Sequence, residues 1–459
     1  MRATILIGLL AGAAAMVPAL AGAVTTPGDI QPDPAHLKAD IAALVRFGTR
    51  SSLSDATSRT QGIGAARAWA RAQFEADSAA CNGCLTLMTP QVVTTGKRIP
   101  SPTVFQDVLA IQKGDTDPDR VVIISGHIDS RVSHILDATS PAPGADDDGS
   151  GVAAVLESAR LLSRHRFHAT IIYAVLSGEE QGLIGGGVLA DVAKAMGWRV
   201  EAVLNNDIVG NTHGLDGRVV DDQVRVFSEG VRADETAAMA AERRRSGTEN
   251  DAPSRELSRY MAGVAAADMP GFAVRQIFRA DRFGRGGDQS PMQAAGFPAV
   301  RVTEADENYT RQHQDLRTEN GVAYGDVLSG VDFAYLARVT RLDALTLAAL
   351  ADAPPPPAEV RIAGAVTADT TLSWTAAPGA SGYRVWWRET TAPAWTQSRD
   401  AGDAYKLTLT GINIDDYVFG VAAVGEGGLS SPVEVSGSVG AFFPPPRNGA
   451  DGGIPQRSN

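Results

Sequence analysis

A run of four prolines at 354–357 divides the chain into two segments that cannot belong to one continuous helix or sheet. Proline lacks a backbone N–H and fixes φ, so neither a helix interior nor a central strand absorbs several in succession. Residues 353–357 therefore read as a semi-rigid linker. Upstream, short apolar runs alternate with segments of helical spacing. Residues 108–111 and 121–124 are continuous apolar stretches bounded by Gly and polar residues, as expected of strands buried on both faces. Further extended segments are expected at 170–176, 201–206, 274–278 and 299–303, and helices at 36–47, 65–76, 151–162, 183–196, 254–267, 290–295 and 321–350. This alternation predicts an α/β domain over 24–352, with a mixed, mostly parallel central sheet and helices on both faces.

Downstream, residues 358–438 change to a period of two. Trp374, then Tyr383 and Val385, then Tyr417, Phe419 and Val421 fall in alternating segments between Gly, Pro, Ser and Asp turns, which predicts a small all-β, immunoglobulin-like sandwich. The placement of these aromatics resembles a fibronectin type III domain, which implies that they form its core. Composition leaves the sandwich's task open between tethering to a surface or polymer and simple spacing. Residues 439–459 are rich in Pro, Gly and Asn and are expected to be disordered.

At the amino end, Arg2 precedes an apolar run at 5–20 and the small-residue sequence Ala19-Leu20-Ala21-Gly22-Ala23. This is the layout of a secretory signal, so residues 1–23 are expected to be removed on export to a periplasmic or secreted location. The run is shorter than the roughly 20 residues a bilayer span needs, and no later stretch is long enough, so stable membrane insertion is not expected. Export bears on Cys81 and Cys84, the only cysteines. They are too few for a four-thiolate zinc site, and in an oxidising compartment they are expected to form a disulfide closing a tight turn between two extended segments. A net charge of -12 argues against a phosphate-binding surface, so nucleic acid is not an expected partner.

Four segments carry ionisable residues just past expected strands, where open α/β sheets collect their ligands. In the first, His127 lies two residues before Asp129; an imidazole can bind a metal through one nitrogen while a carboxylate orients it through the other. In the second, Asp146, Asp147 and Asp148 are consecutive and open a helix. Such carboxylates repel unless a cation, water or a helix amino end receives them, so a metal site, a calcium loop and a plain acidic cap are all compatible. In the third, Glu179 and Glu180 sit in a turn flanked by Gly178 and Gly182. One can bind metal while its neighbour holds a proton; an ordinary acidic helix start is the alternative. In the fourth, Asp207 closes an apolar strand. Imidazole and oxygen ligands without thiolates suit a zinc pair. Of the other histidines, His36, His165 and His168 fall on a helix or in turns, His134 and His213 stand as bystanders, and His313 lies in a polar loop near Asp315.

Taken in order, Gly126-His127-x-Asp129-Ser130, Gly144-Ala145-Asp146-Asp147-Asp148-Gly149-Ser150-Gly151, Glu179-Glu180-x-Gly182-Leu183-x-Gly185, Asn206-Asp207 and a late His form one series. Over about residues 108–350 it resembles the dizinc peptidases of metallopeptidase family 28, of the secreted bacterial aminopeptidase type. The resemblance implies two Zn2+ per chain, with Asp147 bridging, His127 and Asp207 completing one zinc, Glu180 and His313 the other, and Glu179 as general base. Asp129, Asp148 and Asp288 are then supporting residues. His313 departs from the family pattern in following Gln312 instead of an aromatic, and Asp288 in preceding Gln289 instead of His.

The activity so implied is a zinc-dependent exopeptidase, expected to be an aminopeptidase acting on peptide or protein amino ends. Zinc lowers the pKa of its bound water from 15.7 to about 7, Glu179 would take that proton, and Tyr309 is the candidate to help stabilise the oxyanion. The free amine would be held by the metal and by nearby carboxylates such as Glu304, Asp306 or Glu307. A carboxypeptidase or dipeptidase is the alternative, with a terminal carboxylate held by loop arginines among Arg282, Arg285, Arg301 and Arg311. A binding or adhesion protein that keeps the scaffold without turnover is a third reading.

Overall fold

The computed structural model describes residues 30–437 and 439–443; the expected signal at 1–23 and the tail from 444 lie outside the described residues. The larger domain is built on an eight-stranded sheet. Its strands, in spatial order, are Leu85–Met88, Val108–Gln112, Ala169–Leu176, Asp117–His127, Arg199–Asn206, Ala299–Glu304, Gln223–Phe227 and Ala273–Ile277. The central strands from Ala169–Leu176 to Ala299–Glu304 run parallel. Antiparallel neighbours flank them on both sides, giving the mixed sheet expected.

Alternate side chains of a strand face opposite ways, and the sheet feeds two cores accordingly. Val122 and Ile124 join helices Pro34–Val45, Gly62–Ala80, Gly149–Leu162, Pro253–Asp268 and Phe333–Asp352 on one face. Val121 and Ile123 join Ile184–Met196 and Gln289–Ala294 on the other. Burying each such aliphatic side chain contributes about 1.5–3 kcal/mol, so an apolar run here fixes a strand between two helical layers. Three parallel strands end together, placing His127, the turn after Leu176 and the residue after Asn206 along one edge.

Two local expectations are corrected. The helix expected over 321–350 begins only at Phe333, where Asp332 caps it by accepting from the N–H groups of Ala334 and Tyr335. Ahead of it, Arg317–Glu319 and Val322–Tyr324 form a hairpin through Asn320 and Gly321, both at positive φ, the Asn-Gly turn that suits two paired strands. Cys81 and Cys84 are disulfide-bonded, with Cα atoms 5.5 Å apart. They join the end of the helix Gly62–Ala80 to the strand Leu85–Met88 and not two extended segments, because the helix runs past its expected end at 76.

Beyond the prolines, Ala358–Ala363, Thr370–Thr375 and Lys406–Leu409 form one antiparallel sheet. Gln397–Gly402, Gly382–Glu389, Tyr417–Val424 and Glu434–Val435 form another. Leu372 and Trp374 from the first sheet share a core with Tyr383, Val385, Phe419 and Val421 from the second. The opposite face of the second sheet is also buried, through Trp386, Trp395, Val418 and Val433. There it meets the helix Pro253–Asp268: Trp395 donates to Glu256 at 2.8 Å, Arg259 to the Pro393 carbonyl at 2.8 Å, and Arg388 pairs with Asp251. Pro354 to Pro357 are themselves buried, so the linker is packed into this boundary and is no free spacer. Val439 and Phe442 are buried too. Among the described residues no helix is long and apolar enough to cross a membrane.

Candidate metal centre

His127 Nε2 lies 3.2 Å from Asp147 Oδ1 and 4.0 Å from Asp207 Oδ1. Across the same carboxylate, Asp147 Oδ2 is 3.0 Å from His313 Nε2, which is 3.1 Å from Glu180 Oε1. Two clusters result, His127 with Asp147 and Asp207, and Asp147 with Glu180 and His313; the donor atoms of each lie within 4.8 Å of one another. Asp147 belongs to both. Imidazole nitrogen with carboxylate oxygens is a donor set that zinc accepts. Carboxylates packed this closely in a buried site repel one another unless a cation compensates. That excess of negative charge acts on His313: burial disfavours its charged ring, yet Glu180 and Asp147 outweigh burial and push it up to about 10. Burial holds Glu179 well above the ordinary carboxylate range against the pull of His127, with Asp207, Glu180 and Asp288 adding repulsion.

The supporting residues tie this arrangement together. His127 Nδ1 is 3.0 Å from the Asp129 carbonyl. The Asp129 carboxylate meanwhile accepts from the N–H groups of Gly178 at 2.8 Å, Glu179 at 3.3 Å and Glu180 at 3.2 Å, so one residue orients both the imidazole and the two-glutamate turn. Gly178 has φ of 85°, and a Cβ there would meet the Phe105 ring at 2.3 Å, which leaves glycine as the residue that fits. Asp148 caps the helix Gly149–Leu162 through the Gly151 N–H at 3.0 Å and also accepts from His127 N–H at 2.9 Å and Ile208 N–H at 3.2 Å. The peptide between Asp147 and Asp148 is cis.

Ile208 sits at φ 63°, a left-handed conformation that costs about 1–3 kcal/mol at a residue other than Gly. Besides its bond to Asp148, its carbonyl accepts from Glu304 N–H at 2.8 Å and Thr303 Oγ1 at 3.0 Å. These bonds hold the bend that follows Asp207. Asp288 is buried and accepts from Gly186 N–H at 3.2 Å, bracing the start of the helix after the glutamates.

Three buried residues escaped the sequence reading or were misassigned by it. Asp326 accepts from the N–H groups of Asp146 at 2.9 Å and Asp147 at 2.7 Å, fixing the shared carboxylate from behind. Arg50 donates to the carbonyls of Ile128 and Gly144, each at 2.8 Å. Arg301 was expected on a loop; it lies inside the strand Ala299–Glu304, fully buried, paired with the Asp207 carboxylate and donating to the Asp207 carbonyl at 3.1 Å. The available signal was a single guanidinium within an apolar strand, which needs a buried partner. Asp326 and Arg50 lie in irregular segments with no periodicity to mark them.

A cavity of about 350 Å3 opens onto the clusters, its wall including Asp147, Glu179, Glu180, Asp207 and His313 together with Arg98, Arg131, Arg282 and Arg285. Several expected substrate contacts fall elsewhere. Glu304 is buried and accepts from Asn211 N–H at 2.9 Å, Asp306 pairs with Arg218, and Glu307 pairs with Arg225, Arg282 and Arg285. None of the three carboxylates is in the cavity wall. Arg311 donates to Asn211 at 2.7 Å and to the Gly330 carbonyl at 2.6 Å. Tyr309 is 56% exposed and also outside the wall. Two larger cavities, of about 770 and 760 Å3, lie at the sandwich boundary and beside Trp198, and neither is lined by such a cluster.

An α/β sheet that gathers His and carboxylate clusters at its parallel strand ends has the layout of a metallohydrolase, and comparison with known proteins narrows the class to zinc metalloproteases. The sequence model of Peptidase family M28 matches residues 107–326. A probable zinc metalloprotease of Leptosphaeria maculans is 44% identical over 401 residues, covering 86% of this chain and 93% of that protein. A probable zinc metalloprotease of Pyrenophora tritici-repentis is 42% identical over 403 residues, covering 86% and 83%. The chain belongs to Peptidase family M28. These relatives are fungal, which corrects the expected bacterial type. Among solved structures, LapA of Legionella shares the fold, with a TM-score of 0.51 and 19% identity over 70% of this chain and 74% of that one.

Proposed function

We propose that this chain is an exported, two-zinc exopeptidase that removes residues from the amino ends of peptides. The observation that carries the two-metal reading is Asp147, whose oxygens face different imidazoles at 3.2 and 3.0 Å. His127, Asp147 and Asp207 would hold one ion, and Asp147, Glu180 and His313 the other. Bound zinc supplies a Lewis acid and a water acidified to a pKa of about 7. The chain's own part is to handle the proton: Glu179 lines the cavity beside Glu180 and is the group placed to take it and return it to the leaving amine. Asp129 and Asp148 keep the two glutamates and His127 aligned through their backbone N–H groups. A cavity of about 350 Å3 lies near the lower end of ligand sites, which favours a chain end over an extended segment as the group that enters. The sandwich is read as fibronectin type III-like.

A carboxypeptidase or dipeptidase is the second reading, favoured by the guanidinium groups of Arg98, Arg131, Arg282 and Arg285 in the wall. These suit a terminal carboxylate, whereas the carboxylates expected to hold an amine are absent from that wall. The deciding experiment compares hydrolysis of amino-acid anilides with free and acetylated amines, beside peptides with free and amidated carboxyl ends. Equal rates on free and acetylated amines would sink the amino-end reading. Glu179→Gln is expected to lower turnover by roughly 10²–10⁴-fold with zinc content unchanged; full activity in that variant would remove Glu179 from its role.

A further inference from the structure

Beside the cavity stands a two-stranded sheet, Gln91–Gly96 paired with Ile99–Gln106. Its inner strand backs onto the domain: Ile99 and Phe105 are buried and the Val104 carbonyl accepts from Arg67 at 3.3 Å. The outer strand is different. Five of its six residues are exposed, and among the described residues no other strand pairs with it. Edge strands are usually blunted by charge, proline, a bulge or a covering element, because free N–H and C=O groups template further pairing. Gln91-Val92-Val93-Thr94-Thr95-Gly96 carries neither charge nor proline and is rich in β-branched residues, and its register against the inner strand is regular from Gln91 to Thr94, shifting only between Thr94 and Gly96. Val93, 59% exposed, stands opposite Val104, 38% exposed. The hairpin tip is joined to the metal centre, since Arg98 lines the cavity and donates to the Glu180 carbonyl at 3.0 Å.

We propose that Gln91–Gly96 receives the extended backbone of the substrate peptide, beyond the bond to be cut, as an added strand. This rests on the peptidase reading above. Main-chain pairing of this kind gives affinity that is largely independent of side chains, so the surface would reward chain length with little sequence preference. The continuity between tip and cavity is what selects a substrate peptide as the occupant over an unrelated partner.

The test uses the full chain carrying Glu179→Gln and a fluorescent peptide long enough to span the strand, followed by anisotropy. Binding is expected to be tighter than for a dipeptide, and N-methylation of alternate peptide amides, which removes backbone donors while keeping side chains, is expected to weaken it by about fivefold or more. Val93→Lys, a charge on the edge, is expected to weaken long-peptide binding similarly, while in the chain with Glu179 intact it leaves dipeptide turnover unchanged. Equal binding of methylated and plain peptides, or a Val93→Lys variant that binds long peptides as before, would overturn the proposal. So would a concentration-dependent dimer dispersed by Val93→Lys, which would make a second copy the occupant. Absence of peptide turnover in the unmodified chain with length-dependent binding preserved would count against the peptidase reading and for the edge.

Discussion

Arg301 grips Asp207 twice, through its carboxylate and through its carbonyl, and both residues are buried. Asp207 therefore turns one oxygen toward His127 and the other toward a guanidinium. Arg301→Leu would leave Asp207 without its buried partner, and the loss expected is about 3–5 kcal/mol of stability with zinc affinity down roughly 10–100-fold. Arg301→Lys keeps the charge without the two-point grip and should recover only part of either loss. Denaturant unfolding and chelator competition measure the two effects; wild-type zinc affinity in Arg301→Leu would show that Asp207 needs no such hold.

Asp326 makes a second, independent prediction because it touches the metal centre only through backbone N–H groups. In Asp326→Ala those buried donors lose their acceptor, at a cost of about 1–3 kcal/mol. Zinc should bind more weakly as the Asp146 and Asp147 backbone relaxes. Asp326→Asn, which keeps one acceptor oxygen, should fall between. An alanine variant with unaltered zinc binding would exclude Asp326 as the support for Asp147.

At the boundary with the sandwich, Arg388 pairs with Asp251, and Asp251 also pairs with Arg259 at 3.0 Å, all three buried. Arg259 also pairs with the buried Glu256, so Arg388→Met leaves two buried carboxylates sharing one guanidinium and is expected to cost about 3–5 kcal/mol. The native chain should unfold in a single transition seen by both Trp fluorescence and far-ultraviolet dichroism. Two separated transitions would mean that the boundary couples the domains weakly.

Glu229 gives a pH signature away from the metal centre. Burial raises its carboxyl from 4.5 to about 7, with Arg232 and the Ala233 N–H opposing the shift. The folded chain thus holds this proton more tightly than the unfolded chain. Its contribution is fully present below about pH 4.5 and is lost as pH rises through about 7. At about 1.36 kcal/mol per pKa unit the swing reaches at most about 3 kcal/mol. Glu229→Gln should flatten the pH dependence of unfolding across that window; an unchanged profile would refute the assignment.

The parallel core was legible because each strand is an apolar run that no helix could use at that length, and residues 121–124, 170–176 and 201–206 all fall inside observed strands. The same reasoning found His127, Glu179, Glu180 and Asp207, since charged residues directly after such runs have few other positions available. The grouping of His127 and Asp207, and of Glu180 and His313, about Asp147 was implied by the family resemblance, and the structure brings those same donor atoms within 4.8 Å of one another in each cluster. The strand Gln91–Gly96 escaped notice because exposed strands carry no apolar alternation, and the late helix was overextended because the Asn320-Gly321 turn went unweighed. Arg50, Asp326 and the true partner of Arg301 depend on chain segments about 90 to 180 residues apart meeting in space, which no local pattern encodes.

The buried prolines and the Arg388 cluster remove the swivel that a linker would otherwise give. The two packed sheets beyond the prolines are thereby held at a set reach and bearing from the cavity that opens onto Asp147, so any group they carried would face that opening from one fixed direction.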